Sequence, residues 1–160
     1  MHISAKSDYA LRALIVMARS AVGSSDGPLS AQPLPAEAMA TTQDIPHNFL
    51  LAILADLRRT GIVRSKRGQG GGWLLARPAT EITVADVIRA VDGPLVSVHG
   101  LRPEAVSYSG EATILQPVWI AARSSLREVL EAVSLADLAG AALPGAVAAR
   151  SAEEGAWEPR

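Results

Sequence analysis

The fold is decided by Arg64-Ser65-Lys66-Arg67-Gly68-Gln69-Gly70-Gly71-Gly72-Trp73-Leu74-Leu75-Ala76-Arg77. Two short apolar segments, Ile62-Val63 and Trp73-Leu74-Leu75, flank its glycine-rich centre, and this arrangement predicts an antiparallel β-hairpin. Glycine allows the backbone to turn with positive φ and to approach another surface closely. The sequence therefore predicts a hairpin whose narrow tip carries arginine and lysine.

Positive charge is concentrated around this hairpin, although the whole chain of 160 residues has a formal net charge of −1. Between Asp56 and Arg77, six basic residues stand against one acidic residue, whereas the rest of the chain has nine basic and fifteen acidic residues. A local basic patch beside a glycine-rich turn is typical of a surface that binds the phosphates or minor groove of DNA. A solvated basic face is the alternative interpretation.

The composition limits the other classes of function. The sequence contains no cysteine, which excludes disulfides, thiolate zinc sites and cysteine-ligated iron–sulfur clusters. No apolar stretch reaches the ~20 residues of a membrane-spanning helix, and no signal-peptide pattern opens the chain, so we expect a cytoplasmic protein with no membrane partner. Few aromatic residues and many alanines favour a helical protein.

Three helices are predicted before the hairpin. The first begins at Ser4 or Ser7, because either serine can cap it, and a Ser-, Gly- and Pro-rich flexible connection follows over residues 22–33. A short helix over residues 36–42 and a turn then lead to a helix that begins with Pro46 as its first residue. A short helix, a turn, a longer apolar-striped helix and a hairpin form the order of a winged helix-turn-helix, a DNA-binding fold.

The remainder of the chain predicts two more capped helices and one long helix. Thr83 with Asp86, and Ser134 with Asp137, have the spacing of N-terminal caps. Between these two helices, residues 96–116 lack periodicity and predict a loop that is a possible effector region, and a long helix begins at Pro117. The fold class is thus mainly α with a small β-hairpin. The expected organisation is a winged helix-turn-helix domain (1–95), the loop (96–116), the long and short helices (117–140) and a flexible tail (141–160).

Three segments of the chain together resemble the Rrf2 family of bacterial transcription regulators. They are residues 4–14, residues 54–77 with the Arg-Gly-x-Gly-Gly-Gly-aromatic hairpin, and residues 82–95. Residues 117–138 are also similar to the long helix through which the family dimerises. The resemblance implies a homodimeric DNA-binding regulator, most simply a repressor, that places one recognition helix in each of two adjacent major grooves of a palindromic operator.

The resemblance also assigns residues to roles. It makes the helix at Pro46 the recognition helix and the hairpin tip a wing that reaches the minor groove. Asn48 is able to pair with adenine, and Leu51 is able to contact a thymine methyl group. Tyr9 has two alternative roles, contact with the DNA backbone or packing in the protein core. The DNA-contacting residues implied are His47, Asn48, Leu51, Lys66, Arg67, Gly68, Gln69, Lys6 and Tyr9. The long helix carries an apolar stripe at helical spacing, which the resemblance makes the dimer seam: Trp119, Ala122, Leu126, Val129, Leu130 and Val133.

The chain departs from the resemblance in the loop over residues 96–116. Many relatives hold an iron–sulfur cluster with three cysteines there, and this loop has none. Asp8 stands where one branch of the family has a carboxylate ligand, and His99 lies in the loop, but iron in such clusters prefers thiolate. We therefore expect no metal or cofactor. Three modes of regulation stay open: a small molecule bound in this region, a protein partner, or no effector.

Two other classes of function compete with DNA binding. An enzyme is disfavoured, because the four glycines within residues 68–72 lead into a strand, whereas a phosphate loop would open a helix, and no catalytic constellation is evident. The alternative that remains is a winged-helix module for protein–protein interaction that regulates a metabolic enzyme or another partner. The acidic remainder of the chain and Leu51 would suit that role.

Overall fold

The computed structural model describes residues 2–22 and 32–159. Within those ranges it contains seven α-helices and one β-hairpin, with 3-10 turns at Ala79–Glu81, Pro103–Ala105 and Gly110–Ile114. In chain order the elements are α1 (Ala5–Val22), α2 (Ala36–Gln43), α3 (His47–Arg59), β1 (Val63–Lys66), β2 (Gly72–Leu75), α4 (Val84–Val91), α5 (Leu115–Leu130), α6 (Leu135–Ala139) and α7 (Gly145–Ser151). The predicted fold class, mainly α with a small hairpin, is confirmed. Most of the predicted flexible connection, residues 23–31, lies outside the described residues.

Helix α1 forms the centre of the domain. Ser4 caps it, because the Ser4 Oγ accepts a 3.0 Å hydrogen bond from the Ser7 backbone N–H. Its apolar residues recur at helical spacing and bury one face: Ala10, Ala13, Leu14, Met17 and Ala18 are all 3% exposed or less. This face packs with the buried faces of α2, α3 and α4 in one core.

The connection between α2 and α3 is a tight turn. Asp44 ends α2 in the left-handed conformation (φ 51°), and the Ile45 N–H donates a 2.9 Å hydrogen bond to the Ala40 carbonyl. Ile45 is buried and anchors the turn. Pro46 precedes α3 as its N-cap (φ −56°, ψ 122°) instead of being its first helical residue, so the expected start was wrong by one position.

The hairpin has the predicted strands and one addition. β1 and β2 are antiparallel, with Val63 opposite Leu75 and Ser65 opposite Trp73. Leu34 pairs with the outer side of Trp73 through hydrogen bonds of 3.0 Å and 2.8 Å between their backbones. The segment before α2 therefore adds a one-residue β-bridge to the edge of the hairpin, which was not predicted from the sequence.

The two predicted caps form side by side. Thr83 and Ser134 each make a capping box, with Asp86 and Asp137 respectively. The backbone N–H of Val84 donates to the Val133 carbonyl, and that of Leu135 donates to the Ile82 carbonyl, both at 2.9 Å. This pairing fixes the C-terminal helices onto the winged domain.

The C-terminal third differs from expectation at three places. Two 3-10 turns lie in the segment over residues 96–116, and α5 begins at Leu115, two residues before Pro117. In the expected flexible tail, residues 145–151 form α7. Val147 of this helix packs on the cluster around Val84 and Val133, and Arg150 lies 2.9 Å from Glu128. The apolar contact of Val147 was missed because a single valine gives no periodic signal.

Candidate nucleic-acid interface

The N-terminal turn of α3 has one exposed face and one buried face. His47, Asn48 and Leu51 are exposed, whereas Leu50 and Ile53 on the opposite face are completely buried. The helix is therefore held by one face, and the other face offers a ring nitrogen, an amide and an aliphatic group. These groups are able to contact base edges in a major groove.

The tip of the hairpin is exposed throughout. Lys66, Arg67, Gly68 and Gln69 are all exposed, and the Gly71 N–H closes the tip with a 2.9 Å hydrogen bond to the Gly68 carbonyl. The chain turns through Gly68 at φ 94° and Gly70 at φ 71°, a region that glycine enters without strain. The structure thus brings all four predicted wing residues together on one projecting turn.

Lys6 points into the domain and not outward. Its ammonium lies 2.6 Å from the Asp56 carboxylate on α3 and donates a 2.8 Å hydrogen bond to the Val91 carbonyl at the end of α4. The hydrogen bond from Lys6 lowers the pKa of Asp56 below its ordinary value. This charge is already paired inside the chain, so Lys6 positions α3, and its predicted contact with the DNA backbone stays a prediction.

Tyr9 lies against α3, as the core-packing alternative predicts. Its ring meets that of Phe49 edge-on, with centroids 5.8 Å apart, and the Arg12 guanidinium lies 5.3 Å from its centre. Arg12 also donates a hydrogen bond to the backbone carbonyl of Gln43, the last residue of α2. Tyr9 and Arg12 therefore support the turn between α2 and α3.

Two further cations of the basic patch lie on α3 and on the hairpin. Arg58 is exposed near the C-terminus of α3, and Arg64 is exposed on β1. Their neighbour Arg59 is paired with Asp56 at 2.5 Å. The clustering of basic residues over 58–67 was the signal available in the sequence for these positions.

The predicted seam on α5 divides into different environments. Ala122 is exposed, Trp119, Leu126, Val129 and Leu130 are half-buried, and the Trp119 indole N–H donates a 3.0 Å hydrogen bond to the Tyr108 hydroxyl. Val133 does not join the others, because it follows the end of α5 and is 5% exposed within its own chain.

Three apolar side chains that the sequence analysis left out of the seam are open to solvent. Ile114, Leu115 and Val118 are 67%, 38% and 50% exposed. Within the described chain no residue of α5 is buried. We define the open stripe as five apolar residues at and along α5: Ile114, Leu115, Val118, Ala122 and Val129.

The family is decided by comparison with known proteins. Residues 3–141 match the family described as "Rrf2: Iron-dependent Transcriptional regulator". The chain belongs to the Rrf2 family. This Rrf2 protein is 47% identical over 148 residues to Rv1287 of Mycobacterium tuberculosis (strain ATCC 25618 / H37Rv), which is named as an HTH-type transcriptional regulator; the match covers 92% of this chain and 87% of the relative.

A second Rrf2 relative is similar in both sequence and structure. CymR of Bacillus subtilis (strain 168), an HTH-type transcriptional regulator, is 32% identical over 139 residues, covering 87% of this chain and 90% of CymR. A solved structure of the B. subtilis CymR, titled the global cysteine regulator, superimposes with a TM-score of 0.69 at 30% identity over 88% of this chain and 98% of that chain. The Rrf2 protein described here is therefore a DNA-binding transcriptional regulator and not an enzyme.

The iron in the family's description has no fitting donor set in this Rrf2 chain. The sequence contains no cysteine, and the Asp8 carboxylate is paired with Arg12 at 3.3 Å. Across residues 2–22 and 32–159, no three His, Asp or Glu side chains converge as metal ligands. Iron–sulfur clusters need thiolates, so the residues present do not fit one. In the same part of the chain, no helix is long and apolar enough to cross a membrane.

Proposed function

We propose that this Rrf2 regulator represses transcription in the cytoplasm by binding a palindromic operator as a homodimer, without a cysteine-ligated iron–sulfur cluster. The proposal is carried by the exposed N-terminal turn of α3 together with the cationic wing, which is the next element of the chain after α3. This arrangement supplies base-edge contacts from the helix and a positive tip for the minor groove.

In this proposal each side chain has a distinct task. Asn48 pairs with an adenine, His47 binds a phosphate or a guanine acceptor, and Leu51 contacts a thymine methyl group. Arg67 enters the minor groove over Gly68, while Lys66 and Gln69 contact the adjacent backbone. Exposure of all six residues supports these assignments.

The open stripe on α5 supports the homodimer. Three adjacent aliphatic side chains, each 38% exposed or more, are unusual on the surface of a small monomer unless another molecule covers them. Pairing of two α5 helices about a two-fold axis would cover both stripes. It would also give the complex the symmetry of a palindrome, with half-sites about one helical turn apart.

Selection of genomic fragments by the purified protein tests the proposal. The enriched sequence is then titrated with the protein at several salt concentrations. We expect a palindrome whose binding weakens steeply with salt, because each neutralised phosphate releases counterions. The absence of an enriched sequence, or of salt dependence, would reject it.

A protein–protein interaction module is the second candidate, and one observation favours it. Phe49 and Leu51 on α3 are 40% and 38% exposed, which gives the recognition helix an apolar component. Failure of the fragment selection, together with capture of one partner protein that is lost on Leu51→Asp substitution, would select this function.

A further inference from the structure

A cleft with four arginines lies between the end of α4, the segment that follows it and α5. Its volume is about 330 Å³, which is in the lower range of small-molecule sites. The charged residues of its lining are Arg89, Arg102, Glu104, Arg123 and Arg127. Four basic residues thus face one acidic residue, although the chain as a whole is slightly acidic.

The arginines are only partly neutralised by the protein. Arg123 pairs with Glu104, while Arg89 and Arg127 share Glu131, from which they lie 2.5 Å and 3.0 Å away. Arg102, in contrast, makes no close ion pair within the described residues, although its positive charge acts on the Glu104 carboxylate. One guanidinium on the rim is therefore available to an added anion.

The net charge of the ion pairs around the cleft indicates the charge of a ligand that would neutralise it. Arg89 also lies 3.9 Å from Asp86, which in turn lies 3.6 Å from Arg77. With Arg77 included, the five arginines in and behind the cleft stand against three carboxylates, those of Asp86, Glu104 and Glu131. This leaves an excess of two positive charges in and behind the cleft, which a dianion would balance.

The apolar part of the lining has a different chemistry. Pro94, Leu95 and Val96 supply apolar surface beside the guanidinium groups, and Leu95 is itself 8% exposed. A planar guanidinium binds the two oxygens of a carboxylate or phosphate at once. A short carbon skeleton with two such charges therefore matches the lining better than an inorganic ion.

We propose that this cleft binds a small dianionic organic molecule, its charge carried on carboxylate or phosphate oxygens. Arg102 and Arg123 hold the anionic groups, and Pro94, Leu95 and Val96 contact the carbon skeleton. The claim that the bound molecule is an effector rests on the proposed DNA-binding function, whereas the claim that the cleft binds it does not.

The ion pairs connect the cleft with the wing. From Arg127 they pass through Glu131, Arg89 and Asp86 to Arg77, which lies two residues after β2. Arg89 and Arg127 line the same cleft as Arg102 and Arg123, so an anion held there competes with Glu131 for them and alters the contacts that hold Arg77. Occupation of the cleft is in this way able to change the affinity of the wing for DNA, and DNA the affinity of the cleft.

Calorimetric titration of the DNA-free protein tests the site. The probes are succinate, methyl phosphate and, at matched ionic strength, chloride. We expect saturable binding of succinate or methyl phosphate and none of chloride; whichever binds more tightly assigns carboxylate or phosphate as the anionic group. Arg102→Gln should weaken this binding at least ~10-fold, about 1.4 kcal/mol, whereas Arg150→Gln should not, because Arg150 lies in α7 and does not line the cleft.

Two results would overturn the proposal: no saturable binding of either probe, or equal binding by the Arg102→Gln and Arg150→Gln variants. Circular dichroism of both variants checks that they fold. Because no DNA is present in the titration, failure of the operator hypothesis would leave its outcome unchanged. The effector role is then measured separately, as a change in operator affinity when the binding probe is added.

Discussion

The ammonium of Lys6 lies 2.6 Å from the carboxylate of Asp56 and so ties the first turn of α1 to the recognition helix. The same ammonium bonds the last carbonyl of α4, that of Val91. Both side chains are less than one-third exposed, at 30% and 19%. Three helices are therefore fixed by one cation, and the orientation of α3 depends on it.

Replacing Lys6 by Met tests this junction, because Met retains the aliphatic stem but not the charge. We expect the free energy of unfolding to fall by about 1–2 kcal/mol, as Asp56 loses a charged hydrogen-bond partner. Urea denaturation at pH 7 measures it. The control is Arg150→Met, whose pair with Glu128 is more than half exposed on both sides and should contribute less than ~0.5 kcal/mol. Equal losses in the two variants would refute the role of Lys6.

The same pair makes the stability dependent on pH. The pKa of Asp56 is lowered from an ordinary value of 3.8, chiefly by its hydrogen bond from Lys6. The stabilisation is therefore present above pH 3.8 and is lost as the pH falls through the lower pKa of the folded state. The stability difference between the wild type and Lys6→Met should thus be constant from pH 7 to about pH 5 and should shrink towards pH 2. A difference that grows on acidification would contradict the assignment.

Substitution of Arg67 by Ala tests the wing. We expect operator binding to weaken by about 1–3 kcal/mol if the guanidinium makes a specific contact. The exposed tip has no apolar core to disturb, so stability should not change. Fluorescence anisotropy with the selected operator measures the affinity, and Arg150→Ala, far along the chain in α7, serves as the control. An unchanged affinity would remove Arg67 from the interface.

Gly72 and Gly70 form a matched pair of glycines for testing the β-bridge between Leu34 and Trp73. A Cβ on Gly72 would lie 2.6 Å from the carbonyl carbon and oxygen of Leu34, whereas one on Gly70 would meet open space in the described structure. Both glycines have positive φ, 152° and 71°. Gly70→Ala should therefore cost about 1 kcal/mol of strain, and Gly72→Ala about 2–3 kcal/mol, because it also separates Leu34 from Trp73. Thermal unfolding of both variants provides the comparison, and similar losses would show that the Leu34 pairing contributes little.

Val118 is the position on α5 that best tests the homodimer. Val118→Asp places a charge in the middle of the open stripe, and burial of an unpaired charge is strongly unfavourable, so we expect the dimer to dissociate. Sedimentation velocity measures the change. Leu143→Asp is the control, since Leu143 is similarly exposed, at 45%, but lies outside α5. A Val118→Asp protein that still sediments as a dimer would place the interface elsewhere.

Sequence alone predicted those features that depend on neighbouring residues. The capping boxes of Thr83 and Ser134 and the hairpin around Gly68 are confirmed because caps and turns are set by residues a few positions apart. The buried faces of α1 and α3 follow from apolar residues at helical spacing. The same local patterns, combined in one order, were sufficient to indicate the family.

Tertiary structure alone decided which groups satisfy one another across the chain. Two pairings join residues that are far apart in sequence, Lys6 with Asp56 and Leu34 with Trp73. One cleft likewise brings together four arginines from separate parts of the chain: Arg89, Arg102, Arg123 and Arg127. The presence of a lysine or an arginine in the sequence does not indicate whether its side-chain charge faces a carboxylate or solvent. That choice is made by the packing of helices, because a partly buried charge is stable only where an opposite charge or a hydrogen-bond partner reaches it.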